Sequence, residues 1–301
     1  MSRNRLIVVT GPTASGKTRL AIDIAERLGC EIISADSRQM YRDISIGTAK
    51  PTAEELARVH HYFIDTLPLD GYYSAACFEA DVERLLPELF ARSGAAVVCG
   101  GSMMYVDAIV KGIDEMPTVS DITRRRVDEM EAQQGAEGLL AYLEIIDPDY
   151  YAEVDRSNIK RVKHAIEITA EAGVPYSTLR TGRAKERSYE VIKFMIDHPR
   201  EELFDRINRR VDAMMAAGLE EEARRVEPLR HLNSLNTVGY KEMFAWFDGT
   251  MDYRTAVERI KKNTRVYAKK QLTWLKRDPE VIRLKPATAL EDAMAIIEKS
   301  E

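Results

Sequence analysis

The chain has 301 residues, of which 45% are hydrophobic and 31% charged, and its formal net charge is −5. This balance is typical of an ordinary globular protein and excludes an intrinsically disordered chain. The acidic total gives no general attraction to nucleic acid, so such a partner would have to be bound by local basic surfaces. The three cysteines are widely spaced, which excludes a disulfide framework and a zinc site and favours a reducing cytoplasm.

Membrane insertion is not indicated by the hydrophobic pattern. The N-terminal segment MSRNRLIVVTG has too short an apolar run for a signal peptide. No later run approaches the roughly 20 residues that a membrane-spanning helix needs. We therefore expect a cytoplasmic protein that makes no membrane contact. We also expect a monomer, a state that the hydrophobic pattern does not determine.

The first predicted strand leads into a phosphate-binding loop motif. Residues 11–18 read GPTASGKT, after the apolar run Leu6–Val9 and before a helical pattern that ends at Gly29. This strand, loop and helix are the context that the pattern G-x-x-x-x-G-K-[ST] requires. The loop N–H groups are expected to surround a polyanion, with Lys17 as counter-charge and the Thr18 hydroxyl as a Mg²⁺ ligand. The motif does not identify the phosphate, and a turn without a ligand is the alternative.

Polar residues follow the second predicted strand. The strand at Glu31–Ser34 ends in ADSRQMYRD, and open parallel sheets bind ligands beyond that edge. Asp36 could serve there as a Mg²⁺ ligand, as a general base or as the cap of a local turn. In the following loop, GTAKP, Lys50 is either an additional cation near the phosphates or a solvated lysine.

A second glycine-rich turn is predicted after a later strand. The pattern indicates a strand at His60–Asp65, a helix from about Ser74 to Ala91 and a buried strand at Ala95–Cys99. Gly-Gly-Ser at 100–102 follows, and a helical pattern begins at once. This turn would place the Ser102 hydroxyl at the same sheet edge as the first loop. Tight packing alone is the other explanation of the two glycines.

The segment 113–187 has an entirely helical pattern. Breaks occur near Gly135, Pro148 and Pro175, and a Val/Ile-rich strand returns only at Glu190–Ile196. We therefore predict an all-helical insertion domain at 113–187 within a core domain formed by 1–112 and 188–301. The segment has basic runs around Arg124 and from 156 to 164, which a solvated helix face also explains.

Arginines are frequent on the two helices predicted after the last of these strands. A guanidinium can grip two phosphate oxygens at once, but the pattern does not choose among the candidates. The candidates are Arg206, Arg209, Arg210 and Arg224.

The run from Arg259 to Arg277 is the most basic part of the chain. It holds eight basic residues and no acidic one, with Tyr267 and Trp274 interleaved. Its apolar residues recur at helical spacing, so the cations form one face of a helix. Such a face favours contact with an RNA or DNA backbone, and a helix that offsets acidic neighbours is the alternative.

Together these motifs resemble the tRNA dimethylallyltransferase family along nearly the whole chain. The matching segments are GPTASGKT at 11–18, DSRQMY at 36–41, GTAKP at 47–51, GGSMMY at 100–105, VGYKE at 238–242 and TRVYAKKQLTW at 264–274. The resemblance implies an α/β fold with a P-loop NTPase-like parallel sheet flanked by helices. It also implies transfer of a dimethylallyl group from dimethylallyl pyrophosphate to N6 of the adenosine 3′ of the anticodon in tRNA, with release of pyrophosphate.

The resemblance further implies roles for the matched positions. Asp36 is expected to accept the proton from N6, with Lys17 and Ser102 as further catalytic groups. The pyrophosphate is expected to bind Gly11, Pro12, Thr13, Ala14, Ser15, Gly16, Lys17, Thr18, Arg209 and, as second choice, Arg224, with Mg²⁺ on Thr18. The tRNA anticodon stem-loop is expected to bind Asp36, Ser37, Arg38, Gln39, Ser102, Arg124, Lys160, Arg161, His164, Lys269 and Lys270.

Other functions fit parts of the sequence. A small-molecule P-loop kinase shares the phosphate-binding loop, and an adenylate isopentenyltransferase shares the prenyl donor. The helical insertion and the basic helix favour an RNA-sized acceptor over a free nucleotide. A non-catalytic tRNA-binding protein or nucleotide-dependent switch is disfavoured because Lys17, Thr18 and Asp36 are all present.

Overall fold

The computed structural model describes residues 4–299. The chain divides into two compact units, of which the first runs up to Val110 and resumes at Glu186, and the second is Lys111–Lys185. Among the described residues, no helix has both the length and the apolar character that crossing a bilayer requires.

The first unit is built on one six-stranded sheet in which every pair of neighbouring strands is parallel. The strands are β1 (Arg5–Thr10), β2 (Ile32–Ser34), β3 (His61–Tyr62), β4 (Ala95–Gly100), β5 (Glu190–Ile196) and β6 (Val281–Leu284). Their order across the sheet is β3-β2-β4-β1-β5-β6. Parallel strands are covered by helices on both faces, and β4 is accordingly buried along its whole length.

Helices connect the strands and form the second unit. In chain order they are α1 (Lys17–Leu28), α2 (Ala53–Arg58), α3 (Ala75–Ser93), α4 (Met103–Lys111), α5 (Asp121–Ile146), α6 (Pro148–Glu153), α7 (Ile159–Ala172), α8 (Tyr176–Leu179), α9 (Arg200–Ala216), α10 (Leu219–Val226), α11 (Tyr240–Phe247), α12 (Tyr253–Leu275) and α13 (Ala289–Lys299). Short 3₁₀ turns lie at Glu227–Leu229 and Asn233–Leu235.

The strand register brings two loops to one edge of the sheet. Thr10, the last residue of β1, lies opposite Gly100, the last residue of β4. The segments that follow β1 and β4 therefore leave the sheet side by side. A Cβ on Gly100 would lie only 2.1 Å from the carbonyl oxygen of Ala35, so the close approach of the segment after β2 requires glycine there.

The second unit is entirely helical and has a small core of its own. Leu139, Leu143 and Val162 are fully buried in that core. Gly135, with φ of 66° and ψ of −168°, interrupts α5, because these backbone angles lie far from those of an α-helix. Asp147 is fully buried, and its carboxylate accepts hydrogen bonds from the backbone N–H groups of Tyr150 and Ser177 and from the Ser177 hydroxyl.

The predicted fold class, a parallel P-loop-like α/β sheet flanked by helices, is confirmed. The third strand is shorter than predicted, since it covers only His61–Tyr62. Phe63 and Asp65 have positive φ angles of 64° and 54°, which are incompatible with an extended strand. The structure also contains elements that were not predicted, namely α2, β6 and α13.

Candidate active site

Two neighbouring cavities, each of about 500 Å³, lie where the loops after β1, β2 and β4 leave the sheet. The first is lined by Asp36, the second is not, and Lys17, Thr18, Ala49 and Arg210 line both. The carboxyl edge of a parallel sheet is the usual place for a ligand. The structure therefore brings the phosphate-binding motif and the candidate base into one site.

The loop at 11–16 adopts the strained backbone that a phosphate cradle needs. Gly11 and Gly16 have φ of 145° and 91°, and Ala14, although not a glycine, has φ of 63°. The Lys17 ammonium donates to the Pro12 carbonyl at 3.3 Å. Loss of hydration lowers the pKa of Lys17, and the nearby Arg210 guanidinium acts in the same direction. The site thus holds desolvated positive charge suited to an anion.

Three side chains from distant parts of the chain hold this loop in place. The Gln271 amide accepts from the Thr13 N–H at 3.1 Å and donates to the Gly101 carbonyl at 2.8 Å. Arg206 Nε donates to the Ala14 carbonyl at 2.8 Å. His198 Nε2 lies 2.8 Å from the Ser15 carbonyl oxygen.

Asp36 begins a turn at the mouth of the first cavity. Its Oδ1 accepts from the Arg38 N–H at 2.9 Å, so the capping interpretation holds for that oxygen. The Ser102 hydroxyl accepts from the Ser37 N–H at 2.9 Å and lies 3.2 Å from the Ser37 hydroxyl. In this structure Ser102 therefore orients the residue that follows Asp36.

Gln39 and Lys50 are both tied to the chain around them. The Gln39 side-chain amide donates to the carbonyls of Thr48 at 3.2 Å and Ala49 at 3.0 Å. The Lys50 ammonium donates to the Tyr41 carbonyl at 2.7 Å and pairs with Asp65. The Lys50 side chain is only 4% exposed, so it is not the solvated lysine of the alternative interpretation.

Three arginines of α9 face the cavities. Arg206, Arg209 and Arg210 have the spacing that places residues on one helix face, and all three line the second cavity. Arg210 also lines the first cavity. Burial lowers the pKa of Arg210, and the Asp36 carboxylate opposes this change. Arg210 thus lines the same cavity as Lys17 and Asp36.

The two arginines expected to grip the pyrophosphate lie in different surroundings. Arg209 is exposed at the rim of the second cavity. Arg224 is not among the described residues that line either cavity: it pairs with Glu220 at 3.0 Å, and its guanidinium stacks 4.2 Å from the Phe247 ring centroid. Arg224 is thus held by its own helix and by an aromatic ring, and its contact with pyrophosphate stays a prediction.

The cavities offer few protein ligands for a metal ion. The described residues contain no group of three or more His, Cys, Asp or Glu side chains that could hold one. Mg²⁺ at a phosphate site needs only one or two protein oxygens, because water and phosphate oxygens complete its shell. The Thr18 hydroxyl and the Asp36 carboxylate line the same cavity and fit an ion of that kind.

Part of the basic face of α12 borders the first cavity. Lys270 lines this cavity and also a shallow groove of about 320 Å³, which Lys269, Trp274 and Arg277 line as well. Tyr267, 40% exposed, faces the cavity from the same helix. The groove therefore adjoins the first cavity, with Lys270 lining both.

The remaining expected RNA contacts lie in the second unit. Lys160 and Arg161 are exposed on the first turn of α7, and Arg124 is half-buried on α5. His164 is exposed, and partial loss of hydration lowers its pKa, with Glu167 opposing and the charge of Arg124 acting in the same direction. These side chains therefore form one local group within the second unit.

One protein family model and several curated relatives match most of the chain. Residues 39–278 match the family model described as IPP transferase. The "tRNA dimethylallyltransferase 2" of Parabacteroides distasonis is 54% identical over 283 residues, which are 94% of this chain and 95% of that protein. The "tRNA dimethylallyltransferase 1" of Phocaeicola vulgatus is 53% identical over 281 residues, 93% of this chain and 94% of that protein.

Solved structures agree with these relatives. A tRNA isopentenylpyrophosphate transferase from Bacillus halodurans has a TM-score of 0.73 at 32% identity, over 99% of this chain and 97% of that one. A tRNA delta(2)-isopentenylpyrophosphate transferase from Staphylococcus epidermidis has a TM-score of 0.72 at 31% identity, over 99% of this chain and all of that one, 100%. The chain belongs to the IPP transferase family.

Proposed function

We infer that the protein is a tRNA dimethylallyltransferase. It transfers a dimethylallyl group from dimethylallyl pyrophosphate to N6 of the adenosine 3′ of the anticodon in tRNA. The observation that carries this function is that Lys17, Thr18, Asp36 and Arg210 line one cavity. Relatives of the chain are named tRNA dimethylallyltransferases. A small-molecule kinase would need the same phosphate-binding loop, but its reaction does not require the motifs DSRQMY at 36–41 and TRVYAKKQLTW at 264–274.

The reaction exchanges one bond for another. The bond between C1 of the dimethylallyl group and the pyrophosphate oxygen breaks, and its electron pair leaves with pyrophosphate. A bond forms between N6 of adenine and C1, and N6 loses one proton. The protein must therefore accept a proton on one side of C1 and neutralise an anion on the other.

We propose that Asp36 accepts the proton. One of its oxygens is fixed by the Arg38 N–H, so the carboxylate is held in one orientation while the other oxygen can face the substrate. Ser102, through the Ser37 N–H, keeps this turn in place. This arrangement supplies a positioned acceptor for a weakly nucleophilic exocyclic amine.

We propose that the pyrophosphate is bound by the loop at 11–18, with Lys17 and Arg210 as its main cations and Arg209 at the rim. Both Lys17 and Arg210 are half-buried, and partial loss of hydration lowers the pKa of each; reduced hydration strengthens their attraction for a leaving anion. Thr18 would hold Mg²⁺ together with pyrophosphate oxygens. When bound, the ion supplies further neutralisation of the leaving group.

We propose that tRNA binds through basic residues in both units. The candidates in the first unit are Arg38, Lys269 and Lys270, at or beside the cavity that holds Asp36. Those in the second unit are Arg124, Lys160, Arg161 and His164. N6 becomes accessible only if the target base leaves its stack, which costs a few kcal/mol that backbone contacts must offset. Gln39 would take part only by giving up its bonds to Thr48 and Ala49.

The test is a transfer assay with radiolabelled dimethylallyl pyrophosphate and Mg²⁺. Unmodified tRNA bearing A next to the anticodon, the same tRNA with G at that position, and free AMP are offered separately. Label in the first tRNA alone is the expected result. Label in AMP would identify an adenylate isopentenyltransferase, and hydrolysis of ATP without any transfer of label would identify a kinase-like enzyme.

We further propose that the enzyme acts as a monomer in the cytoplasm. The thiols of Cys30, Cys77 and Cys99 are free, and burial raises the pKa of Cys30 to about 12, which keeps that thiol unreactive. Light scattering during size-exclusion chromatography measures the mass in solution, for which 34.1 kDa is expected. A mass twice as large would contradict the monomer.

A further inference from the structure

A buried carboxylate next to the cavities is held by an unusual number of backbone donors. Glu222 on α10 is 3% exposed. Its Oε2 accepts from the N–H groups of Ser45 at 2.8 Å and Ile46 at 2.9 Å, and its Oε1 from the Gly47 N–H at 2.9 Å. The Tyr240 hydroxyl donates to Oε1 at 2.6 Å. Four hydrogen bonds thus converge on one carboxylate.

The ring of Tyr240 fixes the same segment by contact. Tyr240 is fully buried. A Cβ on Gly47 would lie 2.6 Å from the ring carbon Cζ, which is closer than atoms can approach. Only glycine can therefore occupy position 47 while Tyr240 keeps its place. The only cation paired with Glu222 among the described residues, Arg225, is largely exposed and 4.0 Å away, so the backbone N–H groups are the main partners of the carboxylate.

The segment held in this way, residues 45–50, forms a wall of the cavities, and we name it the 45–50 loop. Gly47, Thr48 and Ala49 line the first cavity. The Ala49 carbonyl accepts from Arg210 Nη2 at 3.4 Å and from the Gln39 amide at 3.0 Å. The carboxylate thus binds the N–H groups of the loop, while the loop carbonyls bind two side chains of the site.

We propose that Glu222 and Tyr240 are positioning residues, which set the place of Arg210 through the 45–50 loop. This inference rests on the proposed function in one respect, namely that Arg210 binds the pyrophosphate. A rigid loop keeps the half-buried guanidinium of Arg210 directed into the cavity before an anion arrives. Preorganisation of this kind lowers the cost of binding and of charge development.

The chemistry of the contact determines the effect of each substitution. In Glu222→Gln, the amide NH₂ has to face either the N–H groups of Ser45 and Ile46 or that of Gly47, so two donors meet and the loop must move. Tyr240→Phe keeps the ring against Gly47 and removes one of the four hydrogen bonds. We therefore expect a large effect for the first variant and a smaller effect for the second.

The first measurement is the dissociation constant for inorganic pyrophosphate, obtained by calorimetry with Mg²⁺ present. We expect Glu222→Gln to raise it by about 10- to 100-fold and Tyr240→Phe by about threefold, in proportion to the hydrogen bonds disrupted. The second measurement is amide hydrogen exchange at residues 45–47. Exchange there should become at least about tenfold faster in Glu222→Gln.

Asp147→Asn is the matched control, because Asp147 is a buried carboxylate that binds two backbone N–H groups and a hydroxyl inside the second unit. It should lower the Tm as Glu222→Gln does, yet leave pyrophosphate binding and exchange at 45–47 unchanged. Equal loss of pyrophosphate binding in Asp147→Asn and Glu222→Gln would overturn the proposal, as would unchanged exchange at 45–47 in both Glu222→Gln and Tyr240→Phe.

A double-mutant cycle tests the route through Arg210. In an Arg210→Ala background, Glu222→Gln should weaken pyrophosphate binding by less than about twofold, since the residue through which it acts is gone. Full additivity would overturn this route. The transfer assay on the wild-type protein is run in parallel: if it yields no labelled tRNA while the pyrophosphate and exchange results hold, the proposed function fails and the positioning role stands.

Discussion

Asp36 and Lys17 line one cavity but have different tasks in the proposed reaction. Lys17 is desolvated and suited to an anion. Asp36 has one oxygen bound to the Arg38 N–H and faces a cavity that also contains Arg210. The two tasks predict different consequences when each group is removed, because one concerns chemistry alone and the other also concerns binding of the donor.

Replacing Asp36 by Asn should remove the proton acceptor and preserve the shape of the turn. The Asn oxygen can still accept from the Arg38 N–H, so the surrounding fold remains. We expect the single-turnover rate of transfer to fall by about 10²- to 10⁴-fold, the usual contribution of a general base. The dissociation constant for tRNA, measured by filter binding, should change by less than about twofold because the basic surfaces remain.

Asp70→Asn serves as the control, since Asp70 is an exposed carboxylate outside the residues that line the cavities. Its transfer rate should equal that of the wild type. A tRNA affinity that falls together with the rate in Asp36→Asn would assign Asp36 to tRNA binding instead of proton transfer.

His61 predicts a pH dependence of stability. Its Nδ1 lies 2.8 Å from the Val59 carbonyl oxygen and so must donate, while its buried Nε2 has no hydrogen-bond partner among the described residues. Burial lowers the pKa of His61 below its usual value of 6.5, against the opposing hydrogen bond to Val59. Protonation would create a buried N–H without an acceptor.

The sign follows from the direction of this shift. The unfolded chain takes up the proton near pH 6.5, before the folded protein does, so the free energy of unfolding is retained above that pH and falls as the pH drops below it. His61→Asn lacks this titration. As the pH is lowered from 7.5 to 5.5, its free energy of unfolding in urea should therefore fall less than that of the wild type. The exposed neighbour His60→Asn is the control, and parallel pH curves for His61→Asn and wild type would contradict the assignment.

At the scale of elements, α12 links the loops after β1 and β4 through one buried side chain. Gln271 is 3% exposed and bridges Thr13 and Gly101. A Cβ on Gly101 would lie 2.4 Å from Gln271 Nε2. We therefore expect Gly101→Ala to displace the bridge and to lower the free energy of unfolding by about 1–3 kcal/mol, as overpacking usually does.

Gly101→Ala should lower the free energy of unfolding by a smaller amount when the Gln271 bridge is already absent. In a Gln271→Ala background, Gly101→Ala should destabilise by at least about 0.5 kcal/mol less than in the wild type, which is the coupling expected for residues in contact. Chemical denaturation of the four proteins in this cycle measures the difference. Equal costs in both backgrounds would show that the added methyl group acts on another neighbour, such as the Gly11 carbonyl.

Elements with a strong local pattern could be predicted from the sequence. The first strand, loop and helix, the Gly-Gly-Ser turn and the basic helix lie where periodicity and turn residues indicated. β6 was missed because its four residues, VIRL, follow a charged segment and have little pattern of their own. β3 was overpredicted because the sequence does not show the positive φ angles that end it at Tyr62.

The composition of the site was harder to predict, because it depends on contacts distant in the sequence. Asp36, Lys17 and Thr18 were found through motifs. Gln271 lies 258 residues from Thr13, and nothing in the basic run distinguishes it as a buried residue. The sequence did not choose among Arg206, Arg209, Arg210 and Arg224. The structure shows that Arg210, on α9, lines both cavities, whereas Arg224, on α10, is not among the described residues that line either.

At the scale of the whole molecule, the protein carries net charge −5 yet is proposed to bind a polyanion. The cations of α12 do not all serve this purpose. Lys261 pairs with Asp212 at 2.7 Å and with Glu258, so the alternative of offsetting acidic neighbours holds for that residue. Lys269 and Lys270 instead line the groove beside the first cavity, where a phosphate backbone can reach them.

Reversing the charge of Lys269 and Lys270 should therefore weaken tRNA binding and reduce its dependence on salt. Each phosphate contact releases counterions, so each lost contact should lower the slope of log K against log salt concentration by roughly 0.7–0.9. The slope is obtained from filter-binding titrations of Lys269→Glu/Lys270→Glu at several salt concentrations. Binding of inorganic pyrophosphate to the same variant shows whether the donor site has been disturbed.

The control separates a local RNA contact from the effect of net charge. Lys285 and Lys299 are exposed in the segment after β6 and at the end of α13, and they line neither the groove nor the cavities. Their double reversal changes the net charge of the molecule by the same amount. If tRNA binding depends on contact, the control variant keeps the wild-type slope of log K against log salt concentration, and only the α12 variant has a smaller slope. If the slope falls equally in both variants, the attraction is a property of total charge and α12 is not part of the RNA-binding surface.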